Sequence, residues 1–207
     1  MPVFVVRVWL PDRPGALGSV ASRIGAVRAD VIGIDIIERG AGRAIDELVI
    51  DLPDPELVDL LLTEIGEVEG VDVENIRPLS GPPPDPAVMA LSVARSVSAV
   101  AEENPAGPDL RAGIVVEGAV ALLGGEWAAL VDPTADRMVA SAGTDLPDPA
   151  WLVAFVRGAM ADGMPVSLQE LAVAPVAGSD HVLAVGRSAS PLRGREREVL
   201  AGLASLL

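Results

Sequence analysis

Residues 3–10 read Val-Phe-Val-Val-Arg-Val-Trp-Leu, an almost unbroken apolar run that predicts a buried strand. Leu17, Val20, Ala21, Ile24 and Val27 then recur at helical spacing. Apolar, β-branched positions return at 31–38, a polar turn Arg39-Gly40-Ala41-Gly42-Arg43 follows, and a second strand is predicted at 44–52. A helix over 54–67 and a strand over 71–77 complete the order βαββαβ. That order is the split-βαβ, ferredoxin-like unit: helices on one face of an antiparallel sheet of strand order 4-1-3-2, an α+β sandwich.

The first strand runs into Asp12-Arg13-Pro14-Gly15-Ala16-Leu17. Pro14 suits a first helical turn, where a missing N–H costs nothing, and Gly15 carries no side chain to hold another molecule off the backbone. The first amides of a helix lack internal partners, so this turn can receive a carboxylate with the dipole in its favour. The alternative is local, with Asp12 capping its own helix.

On the Asp-Arg-Pro-Gly-Ala-Leu signature and the complete element order, residues 1–78 resemble the ACT domain family, regulatory modules of amino-acid biosynthetic enzymes. The resemblance implies a free amino acid bound between two copies. The ligand would be contacted by Asp12, Arg13, Pro14, Gly15, Ala16 and Leu17 of one copy and by Asp30, Val31 and Ile32 of the other. In one chain these groups lie at opposite ends of the sheet, so a small ligand cannot bridge them. The second strand is an exposed edge carrying Val31, Ile32, Ile34, Ile36 and Ile37, and such an edge invites a partner. A homodimer is expected. Serine-regulated relatives often carry Asn where this chain has Asp12 and Asp30, and a carboxylate accepts hydrogen bonds without donating them. Serine specificity therefore does not carry over, and the ligand's carboxylate falls to the Gly15, Ala16 and Leu17 amides and Arg13.

Gly81-Pro82-Pro83-Pro84-Asp85-Pro86 reads as a stiff, extended spacer, placing a linker at 79–86. Beyond it a helix is predicted over 87–103, with Val88, Leu91, Ala94, Val97 and Ala99 apolar, and an Asn104-Pro105-Ala106-Gly107-Pro108 cluster ends it. A helix over 109–122, a hairpin of 127–131 with 137–142 and a helix over 149–160 follow, the last with Trp151, Leu152, Phe155 and Val156 along one side. Strands at 165–168, 170–177 and 181–187 precede a final helix from Pro191 carrying Leu192, Val199, Leu200, Leu203 and Leu206.

Helices flanking an antiparallel sheet make residues 87–207 similar to a GAF domain, a small-molecule sensing module related to PAS domains. The matching phrases are Trp127-Ala128-Ala129-Leu130-Val131-Asp132, Leu171-Ala172-Val173-Ala174-Pro175, Val182-Leu183-Ala184-Val185-Gly186-Arg187 and the terminal helix at Arg195-Glu196-Arg197-Glu198. In that family the first and last helices often form a dimer contact. A bilin-attaching Cys and a cyclic-nucleotide signature are both missing, so no cofactor is expected.

Composition narrows the chemistry. Cys and Tyr are absent, all fifteen basic residues are Arg, and there is one His. Thiolate nucleophiles, disulfides, Cys-based metal sites and lysine Schiff bases are thereby excluded. The net charge is −15, with 7 Arg against 15 acids in residues 1–77 and 8 against 15 beyond them. Neither half is basic, which argues against nucleic acid and anionic membrane as partners. With no signal-peptide pattern and no apolar run of spanning length, a cytoplasmic location is expected.

The remaining candidates read as structural. His181, beside Asp180 at a hairpin tip, has no visible nucleophile paired with it. Asp12 and Asp30 alone fall short of a cation loop. Arg193, Arg195 and Arg197 alternate with Glu196 and Glu198 as a solvated helix face, and Trp9, Trp127 and Trp151 sit in apolar segments as core. The expected function is a non-catalytic sensor. Its rivals are an interaction module with a vestigial site, and an enzyme with its pocket in the C-terminal half.

Overall fold

The computed structural model describes residues 2–79, 85–103, 108–161, 170–188 and 190–207. The spacer at 81–84, the break at 104–107 and the strand read at 165–168 lie outside them. The chain divides into two compact units, Met1–Pro83 and Pro84–Leu207.

The first unit comprises β1 (Val3–Pro11), α1 (Ala16–Ala26), β2 (Asp30–Gly40), β3 (Arg43–Asp51), a 3-10 turn at Pro55–Leu57, α2 (Val58–Gly66) and β4 (Asp72–Leu79). The sheet is antiparallel throughout, in the order β2-β3-β1-β4. It is the ferredoxin-like topology. Alternation on the strands sends Val6, Val8 and Leu10 of β1 and Ala44, Leu48 and Ile50 of β3 to one face. There they meet Ala16, Val20 and Ile24 of α1 and Leu61 and Ile65 of α2. Full burial of each large aliphatic side chain stabilises by about 1.5–3 kcal/mol. The second helical segment starts in two steps: Asp54 accepts a hydrogen bond from the Glu56 amide at 2.9 Å, and Pro55 sits where no N–H is needed.

The central strand β1 is apolar on both faces except at Arg7, which is buried against Glu47 (2.7 Å) on the face away from the helices. Edge strand β2 is different. Ile32, Ile34 and Ile36 are 43%, 51% and 44% exposed, and among the described residues no strand lies along its outer side.

The second unit holds α3 (Pro86–Glu103), α4 (Pro108–Leu123), β5 (Trp127–Asp132), β6 (Arg137–Gly143), α5 (Pro149–Ala161), β7 (Leu171–Pro175), β8 (Val182–Gly186) and α6 (Gly194–Ala204). Its antiparallel sheet has the order β6-β5-β8-β7. Leu130, Leu183 and Val185 pack with Val97 of α3, Val115, Val116 and Ala119 of α4 and Leu200 and Leu203 of α6. Ala129, Val131 and Ala184 meet Leu152, Val153 and Val156 of α5 on the other face.

Three side-chain expectations are corrected here. Trp151 is exposed and stacks on Phe155 at 5.4 Å, because the inward stripe of α5 is Leu152, Val153, Val156 and Ala159. Val88 and Leu91 point outward from α3 and Val97 inward. Glu196 does not join a solvated face. It is buried and pairs with Arg187 at 2.7 Å, while also accepting from the Arg193 amide at 2.8 Å to cap α6.

Candidate ligand-binding turn of the N-terminal unit

The turn after β1 is held from both sides. The Asp12 amide donates to Gly42 O at 2.9 Å, tying the turn to the β2–β3 hairpin, and the Arg13 amide donates to Pro11 O at 2.8 Å within the turn itself. Gly15 takes the N-cap position of α1 with φ of 87°, a left-handed conformation that L side chains rarely adopt, and no side chain caps the helix. A Cβ at Gly15 would meet nothing within 4 Å. Backbone conformation, then, explains the glycine, and open space lies over the turn.

Asp12 does not cap α1. Its carboxylate is ion-paired with Arg39 at the end of β2. The Ala16 amide, expected to face a ligand, instead donates to Arg13 O at 3.3 Å and Ala16 is buried. The four residues of turn between Pro11 and Ala16 close on themselves, which removes that donor. Among the described residues the amides of Gly15 and Leu17 have no hydrogen-bond partner. Arg13 and Pro14 are exposed, and Leu17 is half-buried.

One residue absent from the sequence-derived set belongs here. Asp46 of β3 is 3% exposed, and its Oδ1 has no hydrogen-bond partner. In register it lies opposite Val8 and Ile36, while Arg39 lies opposite Ala44, so Asp46 and Arg39 share the helix-covered face. Burial pushes the Asp46 carboxyl up from its ordinary value; Arg39 opposes this, and Asp12 and Asp35 add to it. With Asp35 set opposite Glu47 on the other sheet face, Asp12 and Asp46 against Arg39 leave the cluster one negative charge in excess. A signal for Asp46 was present in the sequence: period two places it on the same stripe as Ala44, Leu48 and Ile50, where a carboxylate has no ordinary reason to be.

Asp30, Val31 and Ile32 open β2 at the far end of the sheet. Asp30 is aligned with Asp51, and Asp51 with Val3, whereas Asp12 follows Pro11. Eight residues of strand separate the two ends, about 27 Å. A single chain therefore does not bring them together. Asp30 and Ile32 are exposed and Val31 half-buried.

In the second unit His181 faces Asp132, Nε2 to Oδ2 3.6 Å, too long for a hydrogen bond. The Ser179 hydroxyl accepts from the His181 amide at 3.2 Å. No group of three or more potential metal-binding side chains occurs among the described residues, and none of their helices is long and apolar enough to cross a membrane.

No protein-family model and no curated protein matches the chain. Among solved structures it is similar to the ACT domain from GTP pyrophosphokinase of Chlorobium tepidum, at 16% identity and TM-score 0.31, over 38% of this chain and 100% of that one. It is similar over 99% of its length to an unknown protein from Galdieria sulphuraria, of which 89% is covered, at 15% identity and TM-score 0.35. A formyltetrahydrofolate deformylase from Pseudomonas putida matches 47% of this chain with 38% of its own, at 14% identity and TM-score 0.31.

Proposed function

We propose that the chain is a non-catalytic regulatory protein whose ACT-like N-terminal unit binds a free amino acid between two copies. The observation that carries this reading is the buried, unpartnered oxygen of Asp46, on the same sheet face as Arg39, whose guanidinium pairs with Asp12. A cluster with one negative charge in excess takes an ammonium group, and the unpartnered Gly15 and Leu17 amides at the N-terminus of α1 take a carboxylate. Those two demands together describe a zwitterion. Arg39 offsets the charge of Asp12, so the ligand's carboxylate is not repelled from the turn.

Completion by a second copy follows from the edge. Antiparallel pairing of two β2 strands carries the Asp30 end of one to the Gly40 end of the other, beside Asp12. The same pairing covers Ile32, Ile34 and Ile36. Ligand bound across this seam shifts the equilibrium toward the paired state by its differential affinity. The C-terminal unit, read as GAF-like, receives that change.

The test is a thermal-shift screen of the twenty amino acids against their analogues lacking the α-amino group, on wild type and Asp46→Asn. One or a few amino acids are expected to raise the melting temperature with concentration. The deaminated analogues and the variant are expected to show little response. A flat response to all twenty contradicts the reading.

A further inference from the structure

We propose that the C-terminal unit holds a second, independent site for a small monocarboxylic acid, in a cavity where Arg111 supplies the charge. The cavity is about 240 Å³ and is walled by Leu130, Val139, Val176 and Leu207, the last residue of the sequence, with Arg111 and His181 as its charged or titratable side chains. That is room for roughly eight water molecules, or a short organic acid. It lies on the sheet face that carries α3, α4 and α6, since Leu130, Val139 and Val176 belong to that core.

Arg111 is the anomaly. Its Nε is fully buried without a hydrogen-bond partner, and no ion pair to it occurs among the described residues. Arg111 is half-buried and lines the cavity, and its buried Nε lacks an acceptor among the described residues although the chain carries thirty acids against fifteen Arg. Arg presents a planar fork that matches a carboxylate with two parallel hydrogen bonds. The apolar walls suit a hydrocarbon tail. One guanidinium, with Asp132 standing 3.6 Å behind His181, favours a monoanion over a phosphate dianion. Ser179 is not a competing donor to the cavity through its amide, which is bonded to Val176 O. The ligand lacks an ammonium group, so it is not a ligand for the N-terminal cluster.

Calorimetry and thermal shift on the full chain test this with straight-chain carboxylates of two to about six carbons, the matching primary alcohols and inorganic phosphate. The longer carboxylates are expected to bind and raise the melting temperature, and alcohols and phosphate to do neither. Arg111→Met is expected to fold, because it removes an unpartnered charge, and to lose the response at least tenfold; Asp46→Asn is expected to keep it. If Arg111→Met does not fold, Arg111→Lys, which replaces the fork by a point charge, is expected to weaken binding about tenfold. No carboxylate binding by wild type, an unchanged affinity in the Arg111 variant that folds, or a response to phosphate alone overturns the proposal.

Discussion

Arg39 and Asp12, 27 residues apart, are ion-paired at the end of the sheet where β1 and β2 both finish, on either side of β3. The pair is exposed on the Arg39 side, so its contribution to stability is small. Its weight falls on the ligand. Arg39→Gln leaves Asp12 and Asp46 without their cation, and the local field then opposes an incoming carboxylate. Amino-acid affinity is expected to fall about tenfold with the melting temperature close to wild type. Calorimetry paired with a thermal melt reads both.

Asp46 is a cost to the fold. Its carboxyl is pushed up by burial, so the native state holds the proton to higher pH than the unfolded chain does. Stability from this group is therefore highest below the ordinary carboxylate value of 3.8 and falls as pH rises through the raised one. Asp46→Asn, which carries no charge, is expected to be more stable than wild type by about 1–2 kcal/mol at pH 7.5. The difference shrinks toward pH 4. Urea denaturation at the two pH values checks the sign, and a variant less stable at pH 7.5 would mean that the buried charge is compensated.

The ion pair of Arg187 with Glu196 holds the C-terminal segment to the second sheet. Arg187 also donates to Ser190 O at 2.8 Å, Leu123 O at 2.6 Å and Pro191 O at 2.6 Å. Arg187→Met strands a buried carboxylate and three carbonyls. A loss of about 3–5 kcal/mol is expected, with an unchanged denaturant slope.

Gly186 is fixed by its neighbour rather than by its backbone. A Cβ there would stand 2.4 Å from Trp127 Cε2 and Cζ2, inside a packed core. Gly186→Ala is expected to cost at least about 2 kcal/mol and to change the tryptophan fluorescence and near-ultraviolet circular dichroism, because the indole must move.

These features were unequally legible in the sequence. Element order and strand topology of the N-terminal unit follow from period-two and helical spacing, and they were readable because each strand or helix buries one face. The turn was legible as a place but not as a set of donors. Closure of Arg13 O on the Ala16 amide is the bond of a turn with Pro14 and left-handed Gly15 at its centre, a pairing the residue types do signal but that the expectation of three free amides overlooks. Asp46 and Glu196 share one difficulty: each is buried on an apolar stripe, with Leu48 and Ile50 or with Leu200 and Leu203, and for Glu196 the alternation of Arg and Glu along 193–198 points to solvent instead. Trp151 erred in the opposite sense. Bulk suggested core, whereas stacking on Phe155 lets both rings lie outside it.

Sedimentation equilibrium, run with and without the amino acid that gives the largest thermal shift, addresses the shared site most directly. The expected result is a mass of twice the chain that strengthens with ligand, at one ligand per chain, and dissociates when Ile34 is replaced by Lys on the exposed edge. A chain that stays monomeric at saturating amino acid would contradict a site built from two copies.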